Sequence, residues 1–388
     1  MLHIYCLNYT LSVTPKPPAL IKRPALVITL QALASFAILA TFLPLLHSQE
    51  WYVRVFDYPR LQLFALAIVS FILYIWFAPK NRKRDKFLLG ALAIAIIYQA
   101  VNIYPYTFLA PKEVEDADKN TAENGWLSLL VSNVLMYNKE HGKLAALIQK
   151  QNPDIVLLLE SDLVWQQGLA NVTKQYPHRV EIPLKNTYGM HLYSKLPLRQ
   201  QKVSYLLDKD IPSIKTFVKL RNGVWVELHV VHPKPPVPTE DATSEKRDAE
   251  IVMIVRDIAN SKYPVVVAGD FNDVAWSRTT ELFQEVSGLL DPRLGRGFYN
   301  TFNANYPILR WPLDHVFHSK HFKVESMKRL PDIDSDHFPI YIRLSFAPEN
   351  KYEQEEPEAD AQTQEEASEI IEEGKQEAAE DKREGESE

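Results

Sequence analysis

Residues 265–273 read VVVAGDFND. The run Val265–Ala268 is a buried strand by its length and uniform apolarity. Gly269 allows close backbone approach where it ends, and Asp270 and Asn272 stand just past it. A carboxylate in that place lies at a sheet edge, half in water, where open α/β sheets put their ligand sites. Four more segments repeat the arrangement: Asn133 after Leu127–Val131, Glu160 after Ile155–Leu159, the pair Asp314-His315, and Ser335-Asp336-His337. One polar residue after a strand is ordinary, since Asp and Asn favour turns. Five such places, all carrying oxygen or imidazole donors, imply one constellation suited to a hard metal ion and a phosphate.

The elements around these segments alternate between strand and helix. Lys143–Gln151 is an amphipathic helix with Leu144, Leu147 and Ile148 on one face, and Asn152-Pro153 ends it. Val224, Val226, Leu228 and Val230 share one strand face, which His232 continues while His229 points the other way. His229 is therefore read as structural. A second helix runs from about Ser244 to Asn260, with Ile251, Ile254, Val255 and Ile258 toward the core. Ser277 reads as the N-cap of a helix ending near Gly288. Leu313–Phe317 and Pro339–Phe346 are the last strand candidates.

The stretches SLLVSNV (128–134), NPDIVLLLE (152–160), YGMHLYSKLPL (188–198), VVHPKPP (230–236), VVVAGDFND (265–273), PLDHVFHS (312–319) and SDHFPI (335–340) resemble, in order, the endonuclease/exonuclease/phosphatase superfamily. That superfamily includes DNase I-like nucleases, sphingomyelinases and inositol phosphatases. The resemblance covers Gly125 to Phe346, and GDFN with a downstream SDH is specific in combination. It implies an α/β fold of the DNase I-like kind: a four-layer sandwich of two packed sheets flanked by helices. It also implies roles. Glu160 is a metal ligand, with Asn133 orienting it or touching the metal and Asp336 close by. Asp270 orients and deprotonates the attacking water, and Asn272 holds that water or a phosphate oxygen. His337 contacts the phosphate with Asp314 as its partner, and His232 matches a second histidine that serves as general acid. The metal is Mg²⁺ or Mn²⁺, in keeping with the oxygen donors.

Two positions depart from the family pattern. Leu135 stands where some relatives carry a second polar ligand, and Pro312 stands where many place an arginine, leaving Arg310 and Arg247 as candidates for phosphate contact. No G-x-S-x-G, H-E-x-x-H or P-loop pattern is present.

Ahead of this domain lie three near-charge-free runs, Ala25–Leu46, Leu61–Ala78 and Phe87–Leu109, each close to the length that crosses a bilayer. The basic loop 80–86 belongs in the cytoplasm, together with Lys16, Lys22 and Arg23. The expected layout is a cytoplasmic segment 1–24, three transmembrane helices within 25–110, a linker 111–124, the catalytic domain 125–346 outside the cytoplasm, and a tail 347–388. The expected location is the inner (plasma) membrane. The lone cysteine, Cys6, lies in the cytoplasmic segment, so the outer domain uses neither disulfides nor thiolate ligands.

Charge divides unevenly. The tail holds 17 acidic and 4 basic residues, residues 1–111 hold 10 basic and 3 acidic, and the total of −6 leaves residues 112–346 neutral. A neutral domain lacks the basic footprint of a protein that tracks long nucleic acid. The tail, rich in Glu and nearly free of aromatics, is expected to be disordered, with transient helix over Ala367–Ala379, and removable at Phe346 without loss of fold, with docking of another protein as the alternative role. Function is read as metal-dependent hydrolysis of a phosphodiester: a lipid headgroup, a nucleic acid or a small diester. The alternatives are a DNA or RNA nuclease, and a membrane-anchored binding protein without catalysis.

Overall fold

A computed structural model describes residues 24–46, 48–78, 82–118, 125–349 and 354–387. Residues 1–23, which make up nearly all of the expected cytoplasmic segment 1–24, part of the basic loop and residues 119–124 lie outside the described residues. Helices α1 (Pro24–Phe42), α3 (Arg60–Phe77) and α4 (Lys83–Ile103) form an antiparallel bundle, with a short α2 (Trp51–Arg54) in the first connection. All three membrane-length stretches, Ala25–Leu46, Arg60–Phe77 and Lys83–Tyr106, are long and apolar enough to cross a membrane. Ala34, Ala37 and Ala67 pack with Leu92 at the bundle centre, where small side chains let helices approach closely. Ile28, Trp76, Ile94 and Val101 are exposed on the outside of the bundle.

The remaining chain forms two mixed sheets. One has the order β10-β11-β1-β2-β4-β3, built from β1 (Trp126–Asn133), β2 (Ile155–Leu159), β3 (His178–Ile182), β4 (Met190–Ser194), β10 (Phe322–Arg329) and β11 (Ile340–Phe346). The other runs β5-β6-β7-β8-β9, from β5 (Leu198–Tyr205), β6 (Pro212–Lys219), β7 (Trp225–Val231), β8 (Val265–Asp270) and β9 (Asp314–His318). Each contains one parallel pair, β1–β2 and β7–β8, whose crossovers carry α5 (His141–Gln151) and α8 (Glu245–Ala259).

Strand alternation makes the four layers. Leu129, Val131, Leu157 and Leu159 meet Val226, Leu228, Val230 and Ala268 between the sheets. Their neighbours Leu130, Val156 and Leu158 face outward onto Leu144 and Ile148 of α5 and Trp165 of α6 (Leu163–Gly168). On the far side, Val231, Val267 and Phe317 pack against α8 and against Phe283 of α9 (Arg278–Ser287). The expected sandwich is therefore the observed one. Helix ends follow their expected chemistry too. The Ser277 hydroxyl accepts the Thr280 N–H at 3.0 Å, and Gly288 closes α9 with φ 68°.

The domain sits on the end of the bundle away from the connection between α3 and α4. Trp51 N–H bonds to Ala242 O at 3.2 Å, Gly295 N–H to Pro105 O at 2.8 Å, and Tyr106 hydroxyl to Ala275 O at 2.6 Å. The hairpin between α1 and α3 and the end of α4 are thus part of the domain's own packing.

Two expectations need correction. The described part of the linker is no loose tether. Val114 is buried in the main core, and the backbones of Glu115 and Ala117 bond to Val324 at 2.9 and 2.8 Å, extending the β10 edge. Nor is the tail disordered where it is described. Gln354 is buried and donates to Lys320 O and Phe322 O, and Ala361–Ser387 is a helix, α10. Its Ala367, Ile370 and Ile371 pack on Ala249, Val252 and Leu282 of α8 and α9. A Cβ at Gly374 would collide with Ala249 and the Glu245 carbonyl, so the small residue sets how closely α10 approaches. Polar contacts fix the rest: Arg278 Nε to Glu366 at 2.9 Å and Lys246 N–H to Glu377 at 3.2 Å. The apolar residues recur at helical spacing on one side, so the helix buries a stripe while its acids stay in water.

Removing residues 347–388 should therefore destabilise the domain. Losing two buried isoleucines costs roughly 3–6 kcal/mol as an upper bound. That corresponds to a fall in Tm on the order of 10 °C for a domain of this size. Thermal unfolding of the full chain and the truncated chain in the same detergent measures this, and equal Tm values would contradict the packing.

Candidate active site

Register brings the site together. In the parallel β1–β2 pair Asn133 aligns with Leu159, so the side chain of Asn133 reaches Glu160, which follows it. In the antiparallel β8–β9 pair Asp270 lies opposite Asp314. Between β8 and β7, Gly269 lies opposite Val231, and a Cβ at Gly269 (φ 155°) would run into the Val231 carbonyl. Only glycine lets these strands close here, and that closeness carries His232 to the same rim.

The amide of Asn133 joins the two sheets. Its Nδ2 donates to Glu160 Oε1 at 2.8 Å and to Asp270 Oδ2 at 3.1 Å, while its Oδ1 accepts the Leu135 N–H at 3.1 Å. With both ends of the amide engaged, Asn133 serves here to orient the carboxylates. Ser335 Oγ donates to the Asn133 carbonyl at 2.9 Å and accepts the His337 N–H at 3.0 Å, fixing the SDH segment beside it.

His337 is held between two acids. Its Nδ1 lies 2.8 Å from Asp314 Oδ2, its Nε2 lies 3.5 Å from Asp270 Oδ2, and the Phe302 ring lies tilted against it at 4.9 Å. Burial alone would lower its pKa. Asp314 and Asp270 outweigh that and push it up to about 10, so the ring is cationic at neutral pH. His232 is the opposite case. Its Nε2 is 3.9 Å from Asp270 Oδ2 and Tyr188 covers the ring at 5.4 Å. Burial takes it down to about 4 despite Asp270, so it is neutral, and its buried Nδ1 has no protein partner. Asp270 is thus flanked by one cationic and one neutral imidazole.

Glu160 closes its strand in a left-handed turn (φ 56°). Burial pushes its carboxyl up to about 7, with Asp336 and Asp270 adding repulsion against the opposing pull of Asn133 and His337. A half-buried oxygen cluster of this kind is short of positive charge and fits a hard divalent cation. Ligand atoms of Asp270, Asp314 and His337 also lie within 4.8 Å of one another. Both ring nitrogens of His337 already face carboxylates, so that trio reads as an imidazolium clamp, and Glu160 with Asp336 fits a metal better. All eight residues singled out from the sequence therefore come to one rim.

The remaining candidates do other work. Arg247 is buried, bound to Asp248 at 2.6 Å and Asp273 at 3.2 Å. Arg310 donates to Ala304 O at 3.0 Å and covers Phe338. His315 accepts from Arg293 at 2.7 Å and donates to Asp273 O at 2.9 Å, and His191 pairs with Ser161 at 2.6 Å.

One group escaped the sequence reading. Asn272 (φ 50°) donates its N–H to Asp270 Oδ1 at 2.9 Å and its Nδ2 to Pro233 O at 2.9 Å. Its carbonyl accepts from Arg247 Nη1 at 3.0 Å and from the hydroxyl of Tyr58 at 2.8 Å. Tyr58 belongs to the hairpin between the first two membrane-length helices. From the same hairpin Arg54 reaches Asp248 at 3.3 Å and Asp273 at 3.8 Å, and Trp276 Nε1 donates to Asp57 O at 2.7 Å. The visible signal was four charged residues, Glu50, Arg54, Asp57 and Arg60, between two apolar runs.

The sequence model of the Endonuclease/Exonuclease/phosphatase family matches residues 130–337. Among solved structures, the chain is similar to humanized D. rerio TDP2 (16% identity, 57% of this chain, 99% of that chain, TM-score 0.49). It is similar to the human Nocturnin catalytic domain with bound sulfate (19%, 58%, 96%, 0.48). It is also similar to an endonuclease/exonuclease/phosphatase from Beutenbergia cavernae (18%, 57%, 72%, 0.47). No curated protein matches the chain.

Arg54→Ala should leave Asp248 and Asp273 short of a buried partner and cost about 3–5 kcal/mol. Tyr58→Phe removes one of two donors to the Asn272 carbonyl, worth about 1 kcal/mol. It should lower kcat several-fold with little change in KM or Tm. Steady-state kinetics and unfolding of the two variants separate these outcomes, and an unchanged kcat for Tyr58→Phe would detach the hairpin from the site.

Proposed function

Because the chain belongs to the Endonuclease/Exonuclease/phosphatase family, we propose that it is a membrane-anchored phosphodiester hydrolase, dependent on a divalent metal, with its site outside the cytoplasm. The observation that carries the chemistry is the single cluster in which Asp314 holds His337, His337 and His232 flank Asp270, and Asn133 ties Asp270 to Glu160.

In-line hydrolysis forms a bond between water oxygen and phosphorus and breaks one ester P–O bond. The water's proton needs an acceptor and the departing alkoxide needs a donor. Asp270 is the acceptor, held by Asn133 and the Asn272 N–H. Asn272, fixed through Pro233 and Tyr58, borders the position of that water. His337, cationic and oriented by Asp314, stabilises charge gathering on the phosphate oxygens. His232 is neutral at rest and has a free Nδ1. An anionic diester beside it raises its proton affinity, so that it takes up a proton from solvent as the diester binds and gives that proton to the leaving oxygen. Glu160 and Asp336 would hold Mg²⁺ or Mn²⁺, which when bound neutralises phosphate charge.

Outer placement is supported by the bundle geometry. The domain packs on the end carrying Trp51 and Tyr106, and the basic residues Arg82 to Lys86 lie at the other.

The test is hydrolysis of an aryl phosphodiester by the full chain in detergent. Activity should require Mg²⁺ or Mn²⁺, and Glu160→Gln should raise the metal concentration needed. Asp270→Asn and His337→Asn should each lower turnover by a factor on the order of 10² or more while remaining folded. Full activity in excess chelator would rule out the mechanism. Efficient, salt-sensitive nicking of plasmid DNA would favour a nuclease instead. A reporter fused after Glu388 that works only in the cytoplasm would reverse the topology.

A further inference from the structure

The rim of the site continues as a single loop to the membrane end of the bundle. At its base, Phe302 lies on His337, Ala304 N–H bonds to the Asp336 carbonyl at 2.7 Å, and Trp311 packs on Tyr58 at 5.8 Å. The loop is closed on itself. Asn303 N–H bonds to Leu309 O at 3.3 Å, Leu309 N–H to Tyr306 O at 3.2 Å, and Asn305 N–H to the Asn303 side chain at 2.9 Å. At its tip, Ile308 is 79% exposed, Tyr306 59% and Leu309 45%. The Ile308 carbonyl accepts a 2.6 Å bond from Nε2 of Gln62, which lies in the first turn of the membrane-length helix α3.

An ordered loop that turns Ile, Leu and Tyr outward has no reason to do so toward water. Its bond to Gln62 places that tip at the height where α3 enters the bilayer. Trp51 and Tyr52, at the same end of the bundle, are also exposed, as interfacial aromatics are. We infer that the 303–311 loop is seated in the membrane interface, and that the substrate is a lipid whose headgroup diester lies in the leaflet this loop enters. The inference rests on the hydrolase reading above and adds to it the substrate class and the surface that presents it. A lipid phosphate held at the interface meets Asp336, His337 and Asp270 without leaving the bilayer surface. Electrostatics agree: a domain with no net charge has no footprint for a long polyanion.

The experiment uses the full chain reconstituted in vesicles of phosphatidylethanolamine and phosphatidylglycerol, with Mg²⁺ present. Wild type and an Ile308→Asp, Leu309→Asp double variant are compared on vesicle lipid and on a water-soluble aryl diester. The double variant should lose roughly ten-fold or more on vesicle lipid, because charges at the tip oppose interfacial seating, and keep its rate on the soluble diester. A fluorophore on Ile308→Cys, in a Cys6→Ser background, should be quenched by brominated lipids. Absence of quenching, equal losses on both substrates, or a wild type that cleaves the aryl diester and never the lipid would each overturn the inference. A wild type that cleaves neither substrate would overturn the hydrolase reading beneath it.

Discussion

Everything at the site hangs on one side-chain amide. The two sheets meet through an apolar core that resists sliding only weakly, because dispersion has no direction. Asn133 adds direction. A single nitrogen donates to an acid at the end of each sheet, and the opposite oxygen is locked by Leu135. Hydrogen bonds to charged acceptors are short and strong, and they gain further where water is excluded. Glu160 and Asp270 are thereby tied to one nitrogen by directed bonds, in addition to the packing of the sheets.

A second layer of support lies behind Asn272. Arg54, Arg60 and Arg247 interleave with Asp57, Asp248 and Asp273 in a buried network. Such networks contribute little net stability against an apolar alternative, since each ion is stripped of water. What this one contributes is orientation, and half of it comes from the hairpin between α1 and α3. The helical bundle is therefore structurally part of the site.

Much of this was legible in the sequence because it follows from short-range rules. The run Ile155–Leu159 is β2 residue for residue, and the two-residue period that singled out His232 is the period of β7. What stayed hidden obeys other rules. β5 (LRQQKVSY) and β10 (FKVESMKR) are edge strands open to water on one side, so they carry no apolar run. Helix α10 was lost to averaging. A tail dominated by glutamate reads as unfoldable, yet Ala367, Ile370, Ile371 and Gly374 form one stripe, and a stripe is what packs. The partnership of Tyr58 with Asn272 spans 214 residues and leaves no local trace.

That span has a bearing on how the protein is made. The hairpin carrying Arg54 and Tyr58 emerges from the ribosome early, and its partners Asp248, Asn272 and Thr279 follow 194 to 225 residues later. Chains fold largely in order of synthesis, and closing so long a loop costs only slowly more entropy as its length grows. The hairpin's charges therefore stay hydrated until the second sheet arrives to cover them. Helix α10, at the far end of the chain, can then lie on α8 and α9. Assembly of the site is consequently a late event, completed only when the newest segments of the chain return to its oldest.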